Sequence, residues 1–219
     1  MSLPDLTLES LLSEARVFAS EESDHNEESL YGVTDGKAVG TYFEHKFQAA
    51  LSLKFRYEKG SSAKGIDFPA LAVDMKVTSH TQPQSSCPFK SAKQKVYGLG
   101  YSLLVFVYEK TDDPQTLTGN LNVQHTVFVD SSRTADFQTT TGVRRILDNA
   151  GNKDDLLAFF AERNLPLDEI QADQLADEVL AKPPEIGYLT ISNALQWRLQ
   201  YSRIIDQAGY VNGLIRVNR

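Results

Sequence analysis

Residues 101–108 form the most apolar run of the chain, and this run constrains the fold more than any other segment. It is far too short to span a bilayer, which needs about 20 consecutive apolar residues. A short apolar run of this kind is typical of a strand that is buried on both faces. The sequence therefore predicts a sheet with this segment as its central strand, and no membrane-spanning helix.

The segments around this strand predict a mixed α/β (α+β) fold. Residues 36–51 indicate a helix, because Val39, Phe43 and Phe47 recur every four residues on one face. Residues 66–79 predict a hairpin with Pro69 near its turn, followed by a polar loop. Further strands are predicted over residues 53–57, 123–129 and 211–217, and further helices over residues 3–19, 89–97, 141–149, 154–163, 167–181 and 192–207.

The length of 219 residues suits one domain. We expect it to have three parts: an acidic N-terminal helix and connector over residues 1–30, an α/β core over residues 31–149, and a mainly helical part over residues 150–219.

Charge is unevenly distributed along the chain, whose net charge is −7. Residues 1–30 hold eight acidic residues against one basic residue, and residues 150–185 hold nine against three. Residues 75–108 contain four lysines and no acidic residue, and residues 186–219 contain four arginines and one acidic residue. Because a basic face can coexist with a negative total, the net charge does not exclude a nucleic-acid partner.

Two features of the sequence bear on the compartment. The single cysteine, Cys87, excludes an intramolecular disulfide and a cysteine-rich zinc site. The first residues lack the basic and apolar regions of a secretory signal. We therefore expect a cytoplasmic protein without membrane association.

Residues 73–77 alternate apolar and charged side chains, which predicts a strand with one buried face. Asp74 and Lys76 then share the other face. If the hairpin turns at residues 70–71, Asp67 lies opposite Asp74, with the two β-carbons about 4.5–5.5 Å apart. Two carboxylates this close require a positive charge between them, which Lys76 or a divalent metal ion would supply. All-oxygen ligand sets suit a hard ion such as Mg²⁺.

The arrangement of Asp67, Asp74 and Lys76 resembles the motif of the PD-(D/E)XK nuclease superfamily. Ile66 stands where that motif usually has a proline. The predicted element order over residues 36–108 is also similar to the core of this superfamily. More narrowly, the strand, its polar loop and the lysine-bearing helix resemble bacterial type II restriction endonucleases. The resemblance implies a restriction-endonuclease-like core, with a central mixed sheet flanked by helices.

This resemblance implies metal-assisted hydrolysis of phosphodiester bonds. Asp67 and Asp74 would hold Mg²⁺, and Glu44 on the preceding helix would complete the ligand shell or hold a second ion. Lys76 would orient the attacking water and offset the negative charge of the transition state. These four residues are the predicted catalytic site.

Polar side chains after the catalytic strand and near the C-terminus are candidate DNA contacts. They offer donors and acceptors for phosphates and base edges, where arginine favours guanine and asparagine or glutamine favours adenine. The candidates are His80, Gln82, Gln84, Ser85, Ser86, Lys90, Lys93, Gln94, Asn193, Arg198 and Arg203, with Gln196 and Gln200 beside the last three. For the lysines, a solvated helix face without a ligand is the alternative interpretation. The mainly helical part over residues 150–219 is a candidate for DNA recognition or dimerisation.

We expect a Mg²⁺-dependent type II restriction endonuclease of a restriction–modification system, acting on a short palindromic site in double-stranded DNA. A homodimer follows from symmetry, because two active sites are needed to cut both strands of a palindrome. Two alternatives stay open: a repair or recombination nuclease of the same superfamily, and a catalytically silent DNA-binding module. The sequence carries no dinucleotide fingerprint, phosphate-binding loop or Gly-x-Ser-x-Gly elbow that would support another chemistry.

Overall fold

The structure is a computed structural model that describes residues 3–60, 65–87, 90–192 and 197–218. The helices are α1 (Leu8–Ser23), α2 (Gly36–Lys54), α3 (Lys93–Tyr97), α4 (Phe137–Asp148), α5 (Lys153–Glu162), α6 (Glu169–Ala181) and α7 (Ser202–Gln207). The strands are β1 (Asn26–Glu27), β2 (Val73–Ser79), β3 (Gln84–Cys87), β4 (Ser102–Asp113), β5 (Thr118–Val129), β6 (Thr190–Ile191), β7 (Trp197–Gln200) and β8 (Leu214–Arg216). Within the described ranges, no helix combines the length and apolar character that crossing a membrane requires.

The chain folds into two compact units, each assembled from separate stretches of sequence. The first unit comprises Met1–Gln84, Ser102–Val129 and Gln207–Arg219, and the second comprises Ser85–Tyr101 and Asp130–Asp206. The boundaries expected after residues 30 and 149 do not coincide with these units, because the chain leaves the first unit after β2 and returns to it twice. A single domain divided at those two positions stays a prediction.

The first unit is built on a mixed sheet with the strand order β1-β5-β4-β2, in which β8 also pairs with β5. β2 runs parallel to β4, with Val73 opposite Ser102, and β4 and β5 form an antiparallel hairpin. All residues of β4 from Ser102 to Tyr108 are buried, which confirms the predicted central strand. The mixed sheet flanked by helices confirms the predicted fold class.

Helices α1 and α2 pack on one face of this sheet through aromatic side chains. The rings of Phe43 and Phe47 in α2 lie 4.9 and 5.5 Å from the ring of Phe106 in β4, measured between centroids. Phe18 of α1 lies 5.1 Å from Phe43. The four-residue spacing of the apolar side chains places them on one helix face, and α2 is thereby held beside β2.

The second unit combines a small sheet with a group of helices. Its sheet has the strand order β3-β7-β6. Helices α3 to α6 share an apolar cluster that includes Val96, Val143, Phe160 and Val179. This part of the chain is therefore not purely helical.

The predicted helix over residues 192–207 is wrong. β7 occupies Trp197–Gln200, and α7 begins only at Ser202. Along β7 buried and exposed residues alternate, which is the period of a strand rather than a helix.

Three shorter predictions also differ from the structure. The strand expected over residues 53–57 is wrong, because α2 continues to Lys54 and a single bridge joins Arg56 to Asp5. The polar loop expected after β2 contains the strand β3. In the described residues the helix expected over residues 89–97 begins only at Lys93.

Candidate active site

A tight turn before β2 brings Asp67 beside that strand. Pro69–Leu71 form one turn of 3-10 helix, and Ala72 after it has a left-handed backbone with φ of 51°. Phe68 and Val73 exchange two backbone hydrogen bonds, of 2.9 and 3.2 Å. This register places Asp67 opposite Asp74, as the sequence predicts, although in the part of the chain that the structure describes the hairpin has one antiparallel bridge.

The carboxylate of Asp67 is held by the backbone of β2. Met75 N donates a hydrogen bond of 2.7 Å to Asp67 Oδ2. Gly60 supports the same segment, since Gly60 N donates to the Asp67 carbonyl at 2.9 Å. A β-carbon at Gly60 would lie 2.0 Å from the carbonyl oxygen of Ile66, so only glycine fits at this position. The sequence offered no signal for Gly60, because the contact forms only in the folded chain.

Asp74 and Lys76 form an ion pair on the face of β2 that points away from the α1–α2 core. Asp74 is 4% exposed, and its Oδ2 lies 2.7 Å from Lys76 Nζ. Burial raises the pKa of Asp74 to about 6; Lys76 opposes this shift, and the hydrogen-bond contact with Asp67 adds to it. Val73 and Met75 face the core, which confirms the predicted alternation.

Glu44 of α2 reaches the same group of carboxylates. Burial, followed by the charge of Asp67 and a hydrogen-bond contact with it, raises the pKa of Glu44 to about 7. Gln48 Nε2 donates a hydrogen bond of 3.3 Å to Glu44 Oε1. Gln48 is not among the predicted site residues, although its position one helical turn after Glu44 was a usable signal. The cluster therefore holds more negative charge than Lys76 compensates.

The donor set of this cluster suits a hard divalent cation. Glu44, Asp67 and Asp74 offer only carboxylate oxygens, which Mg²⁺ prefers, and a cation would relieve the repulsion between them. In the described part of the chain, however, no three acidic, histidine or cysteine side chains are already arranged to hold an ion. The ammonium group of Lys76 stands beside Asp74 instead.

The residues directly after β2 are tied to the strand by their backbone. His80 N donates to the Tyr108 carbonyl at 2.8 Å, and Thr78 Oγ1 bonds to both the nitrogen and the oxygen of Gln84 at 3.1 and 3.0 Å. Ser85 is hydrogen-bonded to the hydroxyl of Tyr201. The exposed DNA-contact candidates in this stretch are His80, Gln82, Ser86 and Lys90.

The remaining candidates on α3 are engaged with protein groups. Lys93 Nζ lies 2.6 Å from Glu178. Gln94 is buried, and its Oε1 accepts a hydrogen bond of 3.2 Å from Lys90 N. The alternative interpretation of the lysines as a solvated helix face does not apply to Lys90, because α3 begins only at Lys93.

The C-terminal candidates have different environments. Arg198 is exposed on β7. The guanidinium carbon of Arg203 lies 3.7 Å from the ring centroid of Phe137, and Arg203 Nε is buried without a hydrogen-bond partner among the described residues. Asn193 and Gln196 lie outside the described residues.

Similarity to known proteins extends over almost the whole chain. The family model described as type II restriction enzyme NspV matches residues 5–216. A relative from Nostoc sp. (strain PCC 7524), named type II restriction enzyme NspV, is 60% identical over 214 residues. The aligned region covers 98% of this chain and 97% of the relative. No solved structure gives a significant match.

Proposed function

The chain belongs to the NspV family of type II restriction enzymes, and we propose that it cuts DNA at the cluster of Glu44, Asp67, Asp74 and Lys76. It is a sequence-specific restriction endonuclease, an enzyme that hydrolyses phosphodiester bonds as part of a restriction–modification system. Family membership favours this function over a repair nuclease and over a catalytically silent binding module.

The arrangement of two carboxylates and a lysine around β2 carries the assignment of the site. The hydrogen bond from Met75 N to Asp67, of 2.7 Å, and the ion pair between Asp74 and Lys76, of 2.7 Å, place two carboxylates and a lysine around the middle of one strand. The pKa of Glu44 is raised to about 7 by burial and by the charge of Asp67, and a bound cation would favour its charged form. We infer that Asp67 and Asp74 hold Mg²⁺, and that Glu44 completes the shell or holds a second ion.

The protein side chains then have separate roles in hydrolysis. Mg²⁺, when bound, supplies Lewis-acid polarisation of the scissile phosphate. Lys76 orients the attacking water and stabilises the negative charge that develops on the phosphate oxygens. Since its ammonium group is already paired with Asp74, Lys76 suits electrostatic stabilisation better than proton abstraction. The bond from Met75 N keeps Asp67 aimed at the same region.

We further propose a homodimer that cuts a short palindromic site, because each active site cuts one strand and a two-fold axis places the second site on the other strand. The exposed side chains of His80, Gln82, Ser86 and Lys90 are suited to contact phosphates or base edges. Phosphate contacts of this kind would fix the register of the enzyme on the duplex.

Incubation of the purified protein with phage DNA tests this function. We expect discrete fragments with Mg²⁺ and none with EDTA. Lys76→Ala should cut at least about 100-fold more slowly, whereas Asp148→Asn, a control at an exposed carboxylate of α4, should cut like the wild type. A smear would indicate a non-specific nuclease, and near-normal turnover by Lys76→Ala would exclude that lysine from the mechanism.

A further inference from the structure

The sheet of the second unit carries a polar face that the proposed catalytic cluster does not use. β7 lies between β3 and β6, and along it Trp197 and Leu199 are buried while Arg198 and Gln200 are exposed. On β6, Thr190 is paired with Gln200. Because directly opposite residues of antiparallel strands project to the same face, Thr190 and Gln200 lie side by side.

The same register extends to Ser192. Ser192 N donates a hydrogen bond of 3.1 Å to the Arg198 carbonyl, and Arg198 N donates one of 3.0 Å to Ser192 Oγ. Thr190, Ser192, Arg198 and Gln200 therefore form one polar face of a two-stranded antiparallel ribbon, which we call the β6–β7 ribbon.

The opposite face of the β6–β7 ribbon is firmly packed. Leu199 and Tyr201 are fully buried, and the Tyr201 hydroxyl is hydrogen-bonded to Ser85 of β3. On the β6 side, Ile191 N donates a hydrogen bond of 2.8 Å to Asp136 Oδ1. The polar side chains thus project from a backbone that is fixed on both edges of β7, as precise recognition requires.

The side chains of Arg198 and Gln200 are available for a ligand. Among the residues that the structure describes, neither side chain forms an ion pair or a hydrogen bond with another protein group. The guanidinium group offers five N–H donors in a fixed fork, and the amide offers both donors and an acceptor. The polar face of the β6–β7 ribbon is exposed, has a fixed backbone and carries no acidic side chain. It therefore suits a polyanion that also presents hydrogen-bond donors and acceptors.

We propose that the β6–β7 ribbon enters the major groove of the substrate DNA and reads the recognition sequence, with Arg198 on a guanine and Gln200 on an adenine. The major groove admits a two-stranded ribbon, and these are the bidentate pairings that each side chain makes there. Two residues along a strand span about 6.6 Å, which matches two base-pair steps of about 3.4 Å each. The proposal rests on the proposed function, since it assumes double-stranded DNA as substrate.

The test compares cleavage of the cognate site with cleavage of every single-base-pair variant of that site, as ratios of kcat/KM. Arg198→Lys keeps the charge but loses the planar fork, so selectivity at one G·C pair of each half-site should fall about 10- to 100-fold. Gln200→Ala should relax selectivity at one A·T pair, two base-pair steps from the first. Arg145→Lys, at an exposed arginine of α4, is the matched control and should keep wild-type selectivity.

Three results would count against the base-reading role of the β6–β7 ribbon or against the proposed function. Wild-type selectivity in both Arg198→Lys and Gln200→Ala would overturn the proposal and leave the restriction activity untouched. An equal fall of kcat/KM on all DNA sequences would also overturn it, because the loss of a phosphate contact weakens binding without regard to sequence. If the wild type cut no DNA, the proposed function would fail. The base-reading role of the β6–β7 ribbon would then be tested separately, by comparing the binding of the wild type, Arg198→Lys and Gln200→Ala to the same set of DNA sites.

Discussion

The carboxylate of Asp67 accepts a hydrogen bond of 2.7 Å from the backbone nitrogen of Met75, the residue between Asp74 and Lys76. This contact ties the segment before the turn to the middle of β2. Among the described residues, the segment pairs with β2 through one antiparallel bridge, between Phe68 and Val73. Its position therefore depends on a few local contacts, and changes to them should affect cleavage more than stability.

Asp67→Asn should distinguish the effect of the negative charge of Asp67 from the effect of its hydrogen bond with Met75 N. The amide oxygen can still accept from Met75 N, but the negative charge is lost. We expect single-turnover cleavage at saturating Mg²⁺ to fall roughly 100-fold or more, with little change in Tm. Asp67→Ala loses the hydrogen bond as well and should also lower the free energy of unfolding by about 1 kcal/mol. Near-normal cleavage by Asp67→Asn would show that its charge is not needed.

Gly60→Ala should reduce cleavage without touching a charged residue. The added β-carbon would lie 2.0 Å from the Ile66 carbonyl oxygen and 2.8 Å from the Asp67 α-carbon, so the backbone that carries Asp67 must move. A shift of about 1 Å at a reacting group can cost roughly 100-fold in rate. The control is Gly36→Ala at the start of α2, where a β-carbon meets nothing within 4 Å. Equal cleavage rates for the two variants would contradict the expected role of Gly60.

The stability of the metal-free protein should depend on pH through Glu44 and Asp74. Burial, helped by the charge of Asp67, raises the pKa of Glu44 from 4.5 to about 7, and burial raises that of Asp74 from 3.8 to about 6. Between pH 7 and about 4 the folded state therefore binds more protons at these groups than the unfolded chain does. Their contribution to the free energy of unfolding should increase as the pH falls through this window.

The readout of this effect is the difference between variants in urea denaturation with EDTA, because other carboxylates act in the opposite sense. The pKa of Glu27, for example, is lowered to about 2, mainly by hydrogen bonds with Ser29. As the pH rises from 5 to 8, the free energy of unfolding of Glu44→Gln should fall less steeply than that of the wild type. The control Glu162→Gln, at an exposed position of α5, should show the same pH dependence as the wild type. Identical pH profiles for the wild type and Glu44→Gln would contradict the raised pKa of Glu44.

Two ion pairs join α1 to α2, and the buried pair of Glu22 and Lys46 should stabilise the fold more than the exposed pair of Glu14 and Lys54. Glu22, with a side chain 2% exposed, lies 2.7 Å from Lys46 Nζ, while Glu14 lies 2.7 Å from Lys54, which is half exposed. Glu22→Ala should cost about 1.5–3 kcal/mol in urea denaturation, and Glu14→Ala less than about 1 kcal/mol. Equal costs would show that burial does not strengthen the Glu22 pair.

The sequence was most informative where one local period decided the structure. Alternation over residues 73–77 was enough to predict β2 and the shared face of Asp74 and Lys76. A turn at residues 70–71 would put Asp67 opposite Asp74, and the structure has that register. Those features depend on neighbours along the chain, so a single sequence contains them.

Other features depend on contacts between distant segments and were not predictable. β7 has only four residues, and the alternation of buried Trp197 and Leu199 with exposed neighbours is too short to identify a strand from the sequence alone. The burial of Gln94 follows from its hydrogen bond with Lys90 N and the late start of α3. Glycine is needed at position 60 because the backbone carbonyl oxygen of Ile66 occupies the place of a β-carbon in the folded chain.

Single-turnover cleavage of cognate DNA by Asp74→Asn at saturating Mg²⁺ tests most directly whether the carboxylate cluster on β2 is the cleavage site. Asparagine has the same shape as aspartate and can stay buried at this position, so the variant removes charge and little else. The predicted rate is lower than that of the wild type by at least about 100-fold, with binding of the cognate DNA retained. A rate within about tenfold of the wild type would place the reaction elsewhere in the chain.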